Sequence, residues 1–169
     1  MLVSDGPPDY LTSVDFGTFY GWPYTYWGRY RDDRVKQDRP DLLQYTKIPN
    51  YALGGHVAPI GLVFSRGETL GAQFANGAFI ALHGSWNRYP ASGYEVVFVP
   101  FNERGFPTGA KPVQVVGGFL NAAGDAQGRP AGLAFDGNGA LLEADDSGNR
   151  VWRVSRRRRR FRSRKSRPD

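Results

Sequence analysis

Short apolar runs, each closed by a glycine turn, limit what this chain can fold into more than any other feature. The runs are Gly61-Leu62-Val63-Phe64, Phe79-Ile80-Ala81-Leu82, Tyr94-Glu95-Val96-Val97-Phe98-Val99, Val113-Gln114-Val115-Val116, Gly132-Leu133-Ala134-Phe135, Ala140-Leu141-Leu142-Glu143-Ala144 and Arg150-Val151-Trp152-Arg153-Val154. Between them stand Asn76-Gly77, Arg104-Gly105, Asp136-Gly137-Asn138-Gly139 and Ser147-Gly148-Asn149. Runs of four to six residues suit strands and are too short for packed helices. Glycine supplies the positive φ that tight turns between such strands need. Strands recurring every ~10–20 residues with these turns predict an antiparallel all-β fold: a sandwich, a barrel or a propeller. The 22 glycines and 12 prolines among 169 residues also oppose a helical bundle.

A weak internal repeat favours the propeller. Asn76-Gly77-Ala78-Phe79-Ile80-Ala81 and Asn138-Gly139-Ala140-Leu141-Leu142-Glu143-Ala144 share a turn, a small residue and an apolar strand. Ala78 and Ala140 are 62 positions apart, more than the ~40–50 of a typical blade, so long connections are expected between units. Residues 14–30 are aromatic and broken by Gly and Pro, which predicts loop and short strand, with Trp22 and Trp27 anchoring a core. Residues 31–50 are charged and predict a long exposed connection ending at Ile48-Pro49-Asn50.

Several chemistries are excluded. Without cysteine there is no disulfide, thiolate metal site or cysteine nucleophile. No apolar run approaches the ~18 residues of a membrane-spanning helix. The first eight residues lack the basic start and apolar stretch of a signal peptide. The net charge of +6 divides unevenly. Residues 156–169 hold nine basic residues and one acidic one, a net of +8, and the other 155 residues carry −2. The expected organisation is a near-neutral domain over 1–155 and a disordered Arg-rich tail over 156–169. Such a tail can engage nucleic acid or an anionic membrane through phosphates. With Phe161 its sole aromatic it offers little stacking surface, and a solvated, self-repelling tail is the preferred reading.

The most polar feature follows the run that ends at Leu82. His83-Gly84-Ser85-Trp86-Asn87-Arg88 places an imidazole, a hydroxyl, an aromatic plate, an amide and a permanent cation at a strand end. A rigid element presenting such a set suits a binding site, and a wet loop capped by a packed tryptophan is the alternative. Asp145-Asp146 is the one close carboxylate pair at a strand end, and beside Gly148-Asn149 it reads as a turn former.

Several motifs occur together in order: Asp9-Tyr10-Leu11-Thr12-Ser13-Val14, Phe19-Tyr20-Gly21-Trp22-Pro23-Tyr24, Gly54-Gly55-His56-Val57-Ala58-Pro59-Ile60-Gly61-Leu62, the segment from Gly77 to Arg88, the run Gly93–Phe101, Gly128-Arg129-Pro130-Ala131-Gly132-Leu133, and the run Gly139–Val154. Over residues 9–154 they resemble the C-terminal part of sorbosone dehydrogenase-like proteins, in the glucose/sorbosone dehydrogenase family that uses pyrroloquinoline quinone (PQQ).

The resemblance implies about the C-terminal half of a six-bladed β-propeller with antiparallel blades. It implies PQQ across the top face, calcium beside the quinone, and hydride transfer from a sugar or aldehyde, with the electron acceptor unspecified. For the full-length family it implies a periplasmic or extracellular location. Carried onto this chain, it suggests Arg129 and Arg88 as cations toward PQQ, Trp86 as a stacking face, and His56 and His83 as pocket-lining imidazoles. Arginine suits an anionic tricarboxylate and a flat ring suits a quinone.

The chain also departs from the family pattern. Six blades need well over ~300 residues at ~40–50 or more each, so a fragment that is inactive alone is expected. The family's proton-abstracting histidine and its Arg-Asn pocket segment have no match here. Glu143 stands where the pattern has an apolar residue, and the Arg-rich tail is extra. The alternatives to an oxidoreductase fragment are a non-enzymatic propeller binding module and a nucleic-acid binder acting through the tail.

Overall fold

The structure, a computed structural model, describes residues 7–36 and 39–156. The Arg-rich tail beyond Arg156 lies outside the described residues. The strands run β1 (Pro8–Leu11), β2 (Thr25–Tyr26), β3 (Tyr30–Arg31), β4 (Tyr51–Gly55), β5 (Pro59–Phe64), β6 (Gly77–Leu82), β7 (Glu95–Pro100), β8 (Val113–Val116), β9 (Pro130–Phe135), β10 (Leu141–Asp145) and β11 (Arg150–Val154). One turn of helix, α1 (Pro40–Leu43), and a 3-10 turn at Ala72–Phe74 complete the elements.

The central sheet has the order β5-β6-β7-β8 and is antiparallel throughout. All six residues of β6 are buried, because this central strand is covered on both faces. Pairing Ala78 with Val99, Phe79 with Phe98 and Ile80 with Val97 sorts the side chains by alternation. Ala78, Ile80, Leu82, Val97 and Val99 join Tyr51 of β4 on one side, with Leu11 of β1 packed against them. Phe79, Val96 and Phe98 join Leu70 and Leu141 of β10 on the other. Ring contacts from Phe74, Phe98 and Phe135 to Phe79, at 4.9–5.8 Å between centroids, fill that second layer.

A three-stranded antiparallel sheet, β9-β10-β11, stacks on this second face. Gly61 of β5 makes the close approach possible: a Cβ there would lie 2.0 Å from the carbonyl oxygen of Ala131 in β9. The antiparallel pair β1-β4 covers part of the first face, and β2-β3 forms a separate two-stranded ribbon. Face-to-face packing of consecutive antiparallel sheets gives a propeller-like, nearly all-β architecture. The two repeats of the sequence become β6 and β10, each next to the first strand of its sheet in sequence order.

All seven predicted strands are present within a residue or two. Two details differ from expectation. Trp22 is 79% exposed and does not anchor a core. Tyr24 and Thr25 N–H both close onto the Gly21 carbonyl, and the resulting turn projects Trp22 outward. Trp27 is half-buried at φ 48°, and the largest fully buried side chains are instead Phe79, Phe98, Ile80 and Leu141. The 31–50 connection is mostly exposed, and it carries one helical turn, for which Pro40 at the start is preorganised. Among the described residues no helix is long and apolar enough to cross a membrane.

Candidate functional site

One end of the stacked sheets gathers the β4–β5 turn, the 83–94 segment between β6 and β7, and the loops flanking β9 and β10. The 83–94 segment is fastened at its base. His83 N–H donates to Ala58 O at 3.0 Å, Gly84 N–H to Val57 O at 2.9 Å, and Tyr94 N–H to Leu82 O at 2.9 Å. Tyr94 is buried in a left-handed conformation, φ 63°, and its hydroxyl donates to the Ser85 carbonyl. Gly84 lies on the Tyr94 ring, where a Cβ would come within 2.4 Å of ring carbons. Arg88 Nη1 and Ser92 Oγ both donate to the Gly55 carbonyl, at 2.7 and 2.9 Å, which ties the far side of the segment to the β4–β5 turn. His56 occupies that turn at φ 58° and is exposed. Asp9 of β1 steadies the same turn by accepting the Ala58 N–H at 2.9 Å.

Arg129 joins the two sheets. Its guanidinium donates to Tyr94 Oη at 2.8 Å and to Gly84 O at 3.2 Å, and sits 4.8 Å from the Tyr94 ring centroid. Its own N–H donates to Asp145 Oδ1 at 2.8 Å, and Gly148 N–H reaches the same oxygen at 2.7 Å. Asp145 is buried at the end of β10. Burial pushes its carboxyl up, but the N–H groups of Arg129 and Gly148, with the Trp152 indole, outweigh that and hold it below the usual carboxylate range. Next to it, Asp146 places both carboxylate oxygens 3.1 Å from His83 Nε2. Trp86 is 85% exposed, so its ring is an open plate rather than a packed cap.

Two residues below this end, Glu143 is fully buried and neither carboxyl oxygen has a hydrogen-bond partner. Burial, reinforced by the charges of Asp145 and Asp146 and opposed by the Ala131 backbone, pushes its carboxyl up to about 7. Glu143 does not face water: alternation along β10 puts Leu141, Glu143 and Asp145 on the face that meets the central sheet.

The structure brings His56, His83, Trp86, Arg88 and Arg129 to one end of the sheets. Sequence reasoning did not single out Tyr94, and it read Asp145 and Asp146 only as turn formers. The signals available were Gly93-Tyr94 at a strand start and a carboxylate pair at a strand end. This end offers two guanidinium groups, two imidazoles and an open indole plate, a donor set that fits a planar polycarboxylate such as PQQ. Arg129 has five N–H donors, not all used on the loop. It does not fit calcium through side chains: among the described residues no three of His, Asp or Glu converge on one point.

Comparison with known proteins gives the same direction. The TrAA12-like family model matches residues 31–157. A Borreliella burgdorferi protein of uncharacterised function is 31% identical over 150 residues, 88% of this chain and 39% of that protein. A PQQ-dependent pyranose dehydrogenase of Coprinopsis cinerea is 42% identical over 52 residues, 31% of this chain and 6% of that enzyme. Among solved structures, the calcium structure of the Trichoderma reesei carbohydrate-active enzyme of family AA12 superposes with a TM-score of 0.69 at 22% identity, covering 87% of this chain and 42% of that one. The holo PQQ domain of the Coprinopsis cinerea pyranose dehydrogenase gives a TM-score of 0.62 at 26% identity, covering 82% and 40%. The chain therefore spans about two-fifths of the relatives it matches along most of its length. With the match covering 31–157, this chain belongs to the TrAA12-like family.

Proposed function

We propose that this chain forms one wall of a PQQ pocket in an enzyme that oxidises a sugar or a related aldehyde. The observation that carries the reading is the open Trp86 plate on the same strand-end surface as Arg88 and Arg129. When bound, PQQ supplies the hydride acceptor. The residues of this chain bind and orient it. Arg88 and Arg129 present cations to its carboxylates, and their anchoring to Gly55, Gly84 and Tyr94 holds those cations in place before binding. Trp86 offers a face for the ring system. His83, its Nε2 beside Asp146, and His56 border the pocket.

The sheets are then consecutive blades in the C-terminal half of a six-bladed ring, in a protein acting in the periplasm or outside the cell. The proton acceptor and the opposite wall belong to the other blades, and the 169-residue chain alone binds PQQ without turnover.

Titration of PQQ against the chain, followed by tryptophan quenching, tests this. Binding should weaken with salt, and Trp86→Ala should weaken it about tenfold, roughly 1.4 kcal/mol. Failure of PQQ to bind, or binding unchanged in W86A, overturns the reading. Turnover of an aldose by this chain with PQQ and an artificial acceptor overturns the one-wall arrangement.

A further inference from the structure

Glu143 is a fully buried carboxyl with no hydrogen-bond partner, placed between two stacked sheets. Such a group is costly when charged, and its cost changes with its proton. On the regular β10-β11 ladder Glu143 stands opposite Trp152 and Asp145 opposite Arg150. Residues two apart on a strand share a face about 7 Å apart, so Glu143 and Asp145 lie on the same side of β10. Asp145 carries the N–H of Arg129, whose guanidinium holds Tyr94 and Gly84 at the base of the 83–94 segment.

We propose that Glu143 is a positioning residue: protonated, it lets Asp145 hold Arg129 and the 83–94 segment, and on losing its proton to solvent it repels Asp145 and slackens that hold. The charges that bear on Glu143 are the carboxylates of Asp145 and Asp146, both negative. Across β9 it pairs with Leu133, and across β11 with Trp152, with Arg150 at the end of that strand beside Asp145. The facing side of the central sheet carries Phe79, Val96 and Phe98, and at the site end His83 and Tyr94. The carboxyl thus faces repulsion from its own strand and an apolar layer opposite, eased in part by the Ala131 backbone. Burial and these charges push its carboxyl up to about 7, so the change falls in the neutral range.

The test is carbon NMR on the full chain labelled at glutamate carboxyls, read together with the Trp152 indole N–H, which lies 3.5 Å from Asp145 Oδ2. The chain has four glutamates, few enough to separate. One carboxyl, missing from the spectrum of Glu143→Gln, should titrate with a midpoint near 7. The Trp152 indole signal should move with the same midpoint. In Glu143→Gln the indole signal should be flat across pH 5–9, and in His83→Asn it should move as in the parent, which separates Glu143 from the His83–Asp146 pair. Absence of any carboxyl transition near 7 would overturn the proposal, and the labelled parent chain answers that without any variant. So would an indole transition that persists in E143Q or vanishes in H83N. None of these readouts requires PQQ, so the proposal stands or falls apart from the cofactor reading.

Discussion

Single residues set the site by satisfying one another rather than by reaching outward. Asp145 accepts two backbone N–H groups in a buried position, so removing it strands both donors. Leaving a buried donor unpaired costs ~1–3 kcal/mol. Asp145→Ala should therefore lower stability to urea by at least ~2 kcal/mol, and Asp145→Asn by less, because an amide oxygen still accepts. Glu143 works in the opposite sense. Its folded value of about 7 exceeds the ordinary 4.5, so the native state keeps a proton that the unfolded chain has released. Stability then falls as pH rises from 4.5 to 7 and changes no further above, a loss of roughly 3 kcal/mol. Urea midpoints at pH 5 and pH 8 should differ by most of that contribution in the parent and not in Glu143→Leu. The His83–Arg88 cluster was visible in the sequence because its polar types crowd together. Its supports were not, since Tyr94 and Asp146 act across gaps of 9 and 63 positions that local pattern cannot bridge.

At the level of strands, β6 and β7 were readable because they are apolar on both faces and bounded by turns. β1 and β4 were not. They become strands only by pairing with each other some forty positions apart, with a register shift at Asp9/Tyr10. The stacking of β5 on β9 depends on Gly61, where a Cβ would collide with a backbone oxygen that no rotamer change can move. Gly61→Ala should therefore destabilise more than ordinary overpacking does, by ~3 kcal/mol or more. In thermal unfolding its midpoint should fall well below that of Gly137→Ala, where nothing lies within 4 Å.

The whole molecule has an uncovered apolar side. Ile60, Leu62 and Phe64 of β5 are exposed, with Tyr10 of β1 nearby, because β1-β4 covers only part of that face. Across β10-β11 the outer side also exposes Val151. Exposed apolar sheet faces are sticky, so the purified chain should self-associate as its concentration rises, and Leu62→Asp should reduce this in sedimentation velocity. A monomer at all concentrations would count against that expectation. The contact at Gly61 and Ala131 has a slower consequence. Two backbones touching directly set how closely the sheets approach at that point, whichever side chains fill the layers around them. Over evolutionary time Phe79, Val96 or Leu141 can be exchanged for other apolar residues of similar volume while that approach is kept. Lineages of this chain should thus vary freely in their packed layers while keeping a hydrogen atom in place of a side chain at position 61.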